Sequence, residues 1–188
     1  MDLLKEALIR NSCSFNLPVG EIEKSMKWAR ANSMNALKGT ALFREHFKNM
    51  PEYMFFQGNP HILKKKRIAI VGTRKPDAYG REMTRRIVKA IDSSEYCTVS
   101  GFALGVDSIV HSESVKNGID TIAVPGAGLA VNYPAMNASL RKELIAKGLL
   151  LNEMLPYSRA RTYYFLRSNM IMAAMSDIVI IIQGSAKS

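Results

Sequence analysis

The sequence predicts an α/β fold built on a mainly parallel sheet, and three observations carry that reading. Between Arg67 and Glu113 the pattern of strand, glycine loop and helix occurs twice in succession. Two such units in tandem imply parallel strands joined by right-handed crossovers. The strand segments, Ile68-Ala69-Ile70-Val71 and Cys97-Thr98-Val99-Ser100, are short and uncharged, as strands buried on both faces of a sheet are. Farther on, Thr121-Ile122-Ala123-Val124 and Leu149-Leu150-Leu151 add two more runs of the same kind, with a helical stretch between them.

In chain order, residues 1–50 predict a small helical segment and 51–188 the α/β domain, which suits a chain of 188 residues. Leu3, Leu4, Ala7 and Leu8 recur at helical spacing. Asn16-Leu17-Pro18-Val19-Gly20 breaks that helix, Glu21 to Ala31 forms a second, and Asn35 to Phe47 a third. Trp28, Phe43 and Phe47 are expected to pack this helical cluster, with base stacking as the alternative. Tyr53 to Phe56 reads as a strand ended by the Gly58-Asn59-Pro60 turn. Lys64-Lys65-Lys66-Arg67 reads as a solvated basic loop leading into the first parallel strand, at the end away from the cleft. Pro76 disfavours helix at Lys75, so the helix after the first glycine loop starts near Tyr79 or Gly80 and runs to about Ile91. Gly101 to Gly105 is the second loop, Val106 to Lys116 its helix, and Gly118 the helix cap. Pro125-Gly126-Ala127-Gly128-Leu129 forms a third glycine loop, and Asn132-Tyr133-Pro134 delays a helix from about Asn137 to Lys147. Tyr157 to Arg167 reads as a loop, and Asp177 to Gln183 as the last strand.

The chemistry of the loops points to an anion. With 26 Lys and Arg against 16 Asp and Glu, the net charge is +10, which favours a polyanionic partner. Open α/β sheets place ligands at the C-terminal ends of their strands, where glycine loops let backbone N–H groups approach a phosphate. Gly72, Thr73, Arg74, Lys75, Ser100, Gly101, Phe102, Gly105 and Gly126 are the candidate phosphate-binding residues on this rim. The alternative is a set of tight turns, with Arg74 paired to Asp77 or Asp107. Tyr157 to Arg167 interleaves three arginines, Arg161 and Arg167 among them, with four aromatic rings. Arginines neutralise phosphates while rings stack on unpaired bases.

No catalytic residue, metal site or cofactor is expected. Asp107 and His111 stand four apart on one helix, but no nucleophile accompanies them, and structural roles are favoured. His46, His61 and His111 lack ligand spacing for a metal. Neither a G-x-x-x-x-G-K-[ST] phosphate loop nor a G-x-G-x-x-G fingerprint occurs. Cys13 and Cys97 are too few for a disulfide framework. Asp2, Lys5, Glu6 and Arg10 interrupt any secretory apolar core and no run reaches membrane-spanning length, so a cytoplasmic location is expected.

Four segments, IVGTRKPDAYG, SGFALGVDSIVH, TIAVPGAGLAVNYPAMNASL and LLLNEMLP, resemble in order and spacing the DNA-processing protein A family (DprA, also called Smf), from about Pro51 onward. The resemblance implies an extended Rossmann-like three-layer fold that binds single-stranded DNA. It also implies loading of the RecA recombinase during natural transformation, without catalytic turnover. The family's phenylalanine-proline-x-arginine-asparagine-arginine pattern falls on Phe165-Leu166-Arg167-Ser168-Asn169-Met170. Phe165 and Asn169 match it; the two arginine positions are Ser168 and Met170, and Arg159, Arg161 and Arg167 are expected to compensate. Family members continue past Gly184 with a turn, a helix and a strand associated with homodimer formation, a part this sequence is expected to lack. The rival reading is an enzyme like the LOG phosphoribohydrolases, or a nucleotide sensor. The LOG pattern needs a proline-glycine-glycine-x-glycine-threonine loop and a glutamate, whereas Pro125 to Leu129 has neither the threonine nor a nearby glutamate.

Overall fold

The computed structural model describes residues 2–14, 19–43 and 47–184. Its helices and strands are, in chain order, α1 (Leu3–Ser14), α2 (Val19–Ala31), β1 (Asn35–Lys38), β2 (Tyr53–Gly58), β3 (Lys66–Gly72), α3 (Ala78–Lys89), β4 (Tyr96–Ser100), α4 (Val106–Lys116), β5 (Thr121–Ala123), α5 (Ala138–Lys147), β6 (Leu149–Asn152), α6 (Thr162–Met175) and β7 (Ile178–Ile182). The strands form one sheet in the order β1-β2-β6-β5-β4-β3-β7. β6, β5, β4, β3 and β7 run parallel, while β1 and β2 add an antiparallel hairpin on the β6 side.

The apolar runs explain this arrangement. β4, β5 and β6 lie at the centre of the sheet, and Cys97, Val99, Ile122, Leu149, Leu150 and Leu151 within them are all inaccessible to solvent. Each such Leu or Ile contributes about 1.5–3 kcal/mol through burial. α3, α4 and α5 lie side by side on one face of the sheet. α1 joins that face, where Leu4, Ala7 and Leu8 share a core with Phe55, Leu144 and Leu150. On the other face, Ile171, Met172 and Met175 of α6 meet Met54, Ala69, Val99 and Ile122. β2 shows the alternation of a strand between two cores, with Tyr53 and Phe55 facing one layer and Met54 the other. The result is the expected three-layer α/β architecture, with a Rossmann-like, mainly parallel sheet.

Several boundaries differ from the sequence reading. Asn35 to Phe47 is not a helix: Asn35–Lys38 is the edge strand β1, paired antiparallel with Tyr53 to Phe56, and Gly39–Ala41 is a short 3-10 turn. Pairing with a strand distant in sequence overrides local helix preference here. Gly39 makes the hairpin possible, because its N–H meets the Glu52 carbonyl at 2.7 Å and a Cβ would collide with the Pro51 carbonyl. The remainder of that segment, Arg44 to His46, lies outside the described residues, as do Asn16, Leu17 and Pro18 of the expected break. α2 begins at Val19, so Val19 and Gly20 belong to the helix and not to the break. Trp28 and Phe43 pack against the two cores as expected, while Phe47 is 37% exposed. Tyr157 to Arg167 is only partly a loop, because α6 starts at Thr162. The basic run is not a free loop either. Lys66 and Arg67 open β3, Lys65 pairs with Asp120 at 2.7 Å, Lys66 with Glu95 at 3.2 Å, and Arg67 donates to the carbonyls of Leu63 and Met175. It does sit at the end of the sheet away from the glycine loops.

Candidate nucleic-acid interface

A cavity of about 420 Å³ opens at the C-terminal ends of the parallel strands. Gly72, Thr73 and Arg74 line it after β3, Gly101, Phe102 and Ala103 after β4, and Gly126 after β5. Phe165, Ser168 and Asn169 of α6, with Ile181 and Gly184 at the end of β7, form the facing wall, and Asp107 of α4 lies inside.

Buried polar groups hold the three glycine loops in place. Val106 N–H donates to the Thr73 carbonyl at 3.1 Å, tying the first loop to the start of α4. Gly105, at φ +85°, makes that approach possible, since a Cβ there would lie 2.6 Å from the Arg74 carbonyl. Ser100, wholly buried, donates its hydroxyl to the Ile70 carbonyl at 2.6 Å. Asn137 donates to the Phe102 carbonyl at 3.0 Å, and Asn152 donates to the carbonyls of Pro125 and Ala127, both at 2.8 Å. The asparagines of the NASL and LLLNE segments are thus the braces of the second and third loops.

His111 completes the bracing. Its ring nitrogens lie 2.7 Å from the Gly101 carbonyl and 2.8 Å from the Thr121 hydroxyl. The carbonyl only accepts, so Nε2 carries the hydrogen and Nδ1 accepts from Thr121. Full burial pushes the His111 pKa down to about 4, which keeps the ring neutral. Asp107 does not bond to His111. Its carboxylate accepts from the Ala103 N–H at 3.3 Å, and burial, partly offset by that bond and by the nearby Arg74 charge, pushes its pKa up to about 6. Both residues of the pair therefore have structural surroundings, and Asp107 also presents an acid to the cavity, which its sequence position alone did not indicate.

Arg74 is exposed and makes no ion pair among the described residues, with either Asp77 or Asp107. Asp77 instead caps α3 through the Gly80 N–H at 2.8 Å. The Arg74 guanidinium carbon lies 4.9 Å from the centre of the Phe165 ring. Phe165 rests on Gly126, where a Cβ would stand 2.5 Å from the ring, and faces Tyr133 at 5.9 Å between centroids. The tight fit explains why a glycine occupies position 126. Together Gly126, Phe165 and Arg74 form a stack at the cleft mouth, and a second, 270 Å³ hollow adjoins it, lined by Lys75 and Tyr133.

Most of the anticipated rim residues thus converge: Gly72, Thr73, Arg74, Gly101, Phe102, Gly126, Phe165 and Asn169 line the cavity, and Lys75 its annex. Phe102 is itself only 3% exposed. Ser100 and Gly105 act from beneath. Two arginines are elsewhere. Arg167 is engaged within the protein: Glu153 grips it through two bonds of 2.9 and 2.7 Å and the Asn49 carbonyl takes a third. Glu153 is 4% exposed and Arg167 only partly buried, so this is a part-buried ion pair between the β6 loop and α6. Arg161 faces a separate hollow on the other side of the α6 N-terminus. Tyr133, Asp107 and Ser168 belong to the site but were not legible as such. Among the described residues no group of three metal-ligating side chains occurs, and no helix is long and apolar enough to cross a membrane.

Comparison with known proteins shows which family the chain resembles. The chain is 29% identical to the DNA processing protein DprA of Bacillus subtilis over 100% of its own length and 64% of that protein. It is 32% identical to the Streptococcus pneumoniae DprA, covering 73% of this chain and 49% of that one, and 37% identical to the Synechocystis protein Smf, covering 64% and 30%. The chain therefore spans less than two thirds of the length of these curated relatives. The solved structure of Streptococcus pneumoniae DprA superposes with a TM-score of 0.79 at 25% identity, over 93% of this chain and 61% of that one. That of Helicobacter pylori DNA processing protein A, solved for its single-stranded DNA binding mode, superposes with a TM-score of 0.73 at 29% identity, over 82% and 71%. The family model for DNA recombination-mediator protein A matches residues 40–188, and the chain belongs to that DprA/Smf family.

Proposed function

We propose that this chain binds single-stranded DNA through its phosphates at the glycine-loop cleft, as a DprA/Smf-type mediator that hands the strand to a RecA-type recombinase without catalytic turnover. The observation that carries the reading is Arg74. Its guanidinium is unpaired among the described residues and braced on Phe165, beside loops whose backbone faces the cavity. A guanidinium in that position grips a phosphate with two parallel hydrogen bonds, while the ring offers a stacking surface. The net charge of +10 supports a polyanion, and the Helicobacter pylori relative binds single-stranded DNA.

The test is fluorescence anisotropy with labelled oligo-dT, the matching duplex and free nucleotides over a range of salt. Affinity for oligo-dT exceeds that for duplex and falls steeply as salt rises, because neutralised phosphates release their counterions. Tight nucleotide binding with no affinity for oligo-dT would overturn the proposal. RecA delivery is read separately, from the rate at which recombinase filaments form on oligo-dT coated with a single-strand binding protein; no acceleration overturns that part.

A further inference from the structure

We infer that the hollow on the far side of the α6 N-terminus is a second subsite for the same strand, taking an unpaired base and its phosphates beyond the glycine cleft. The inference rests on the proposed DNA reading. The hollow measures about 330 Å³ and joins Glu21 of α2 to Leu155, Tyr157, Arg159, Arg161 and Tyr164. Arg159 and Arg161 are both exposed, and neither has a carboxylate partner among the described residues. The lone acid, Glu21, is already opposed by Lys24 at 3.9 Å. Tyr157 is held before any ligand arrives, with Trp28 edge-on at 6.3 Å and the Lys24 ammonium 4.2 Å from its ring centre. A braced ring costs little to order on binding. Arginines beside aromatic rings are the pairing that grips phosphates and stacks unpaired bases, whereas a duplex has no free base to offer.

The subsite is adjacent to the cleft. The Arg161 carbonyl accepts the Phe165 N–H at 3.4 Å, so the two hollows are separated by the first turn of α6, about 5.4 Å of rise. A strand leaving the Phe165 stack crosses that turn and meets Arg161 and then Arg159. α2, which carries Lys24 and Trp28, thereby becomes part of the nucleic-acid surface.

Strand length and the single tryptophan make this testable. Oligo-dT of about 4 nucleotides fills the cleft alone, while about 20 nucleotides reaches both subsites. The long oligonucleotide quenches Trp28 emission and the short one does not. In the Arg159→Gln, Arg161→Gln double variant, affinity for the long oligonucleotide falls several-fold, the quench disappears and the salt slope shallows by about 1.4, or 0.7 for each lost phosphate contact. Affinity for the short oligonucleotide stays within about twofold, since each lost contact must be one it never made. If the double variant keeps wild-type affinity and quenching with the long strand, the subsite is overturned and the basic aromatic face is left to an acidic protein surface. If the unmodified protein binds neither oligonucleotide, the DNA reading falls and this inference with it.

Discussion

Arg74→Lys keeps a positive charge at the cleft mouth and removes the planar fork that a phosphate accepts in two places. Each hydrogen bond to a charged group contributes about 1.5–3 kcal/mol, and every 1.4 kcal/mol is a factor of ten in affinity. Loss of one of two bonds therefore weakens oligo-dT binding by about tenfold or more, and Arg74→Ala, which loses both, by roughly a hundredfold or more. Salt separates charge from geometry. The slope of log affinity against log salt is about −0.7 per neutralised phosphate on a single strand, so the lysine variant keeps the wild-type slope and the alanine variant is shallower by about 0.7. The Phe165 ring 4.9 Å from the guanidinium adds a third check. A cation–π contact at an exposed site is worth about 0.5–1 kcal/mol, so the losses of Arg74→Ala and Phe165→Ala should fall short of additivity by about that amount. Anisotropy at several salt concentrations, with melting temperature measured on the same preparations, supplies every number. A purely structural Arg74, acting through the Asp107 carboxylate, would lower melting temperature together with affinity. A stable Arg74→Ala protein with wild-type affinity and slope refutes the cleft as the DNA site.

Phe165→Ala should cost about 1–3 kcal/mol of oligo-dT affinity if the ring stacks on a base, and unchanged affinity in a folded variant would assign the ring to packing. Asp107 and His111 give opposed pH dependences. Asp107 titrates near 6 in the fold against an ordinary 3.8, so the folded state holds more protons between these values and stability falls as pH rises through them. His111 titrates near 4 against 6.5, so the unfolded state holds more protons there and stability falls as pH drops from 6.5 towards 4. Asp107→Asn should remove the first effect, about 3 kcal/mol from roughly two pH units at 1.36 each, and leave melting temperature declining steadily on acidification; a flat profile would contradict the assignment. The same carboxylate, discharged below pH 6, should let oligo-dT bind more tightly at pH 6 than at pH 8, and Asp107→Asn should abolish that difference. Glu153→Gln removes the counter-charge of the Arg167 guanidinium and should cost about 1–3 kcal/mol in denaturant titrations while leaving oligo-dT affinity intact. A stable Arg167→Ala protein with weakened DNA binding would return Arg167 to the interface.

The parts of the fold that the sequence displays are those fixed by local pattern. α4 runs from Val106 to Lys116 as its spacing indicates, and β5 and β6 fall on their apolar runs. The glycine loops were legible because a loop between an apolar run and a helix has one place to go in a parallel sheet. The hairpin of β1 was not, because Asn35 to Lys38 is a strand only by virtue of Tyr53 to Phe56 beside it. α6 was obscured by its first turn, where arginines and aromatic rings suggested a loop, although Ser168, Ile171, Met172 and Met175 are buried at helical spacing. The fate of Arg167 was beyond reach for a different reason. Nothing near it in sequence announces Glu153, fourteen residues earlier and across a loop, as the group that captures it.

The unequal treatment of the basic residues has a kinetic consequence. Where the parallel strands begin, Lys65, Lys66 and Arg67 are matched by carboxylates or carbonyls, whereas Arg74 and Lys75 on the opposite rim have no acid partner among the described residues. The charge left available beside the cleft is therefore that of Arg74 and Lys75. Within about the Debye distance of 8 Å, such unmatched charges attract a passing polyanion towards the rim before contact. Steering of this kind raises the association rate and weakens as salt rises. Two variants of equal net charge, one neutralised at Lys66 and the other at Lys75, would then capture a passing strand at different speeds.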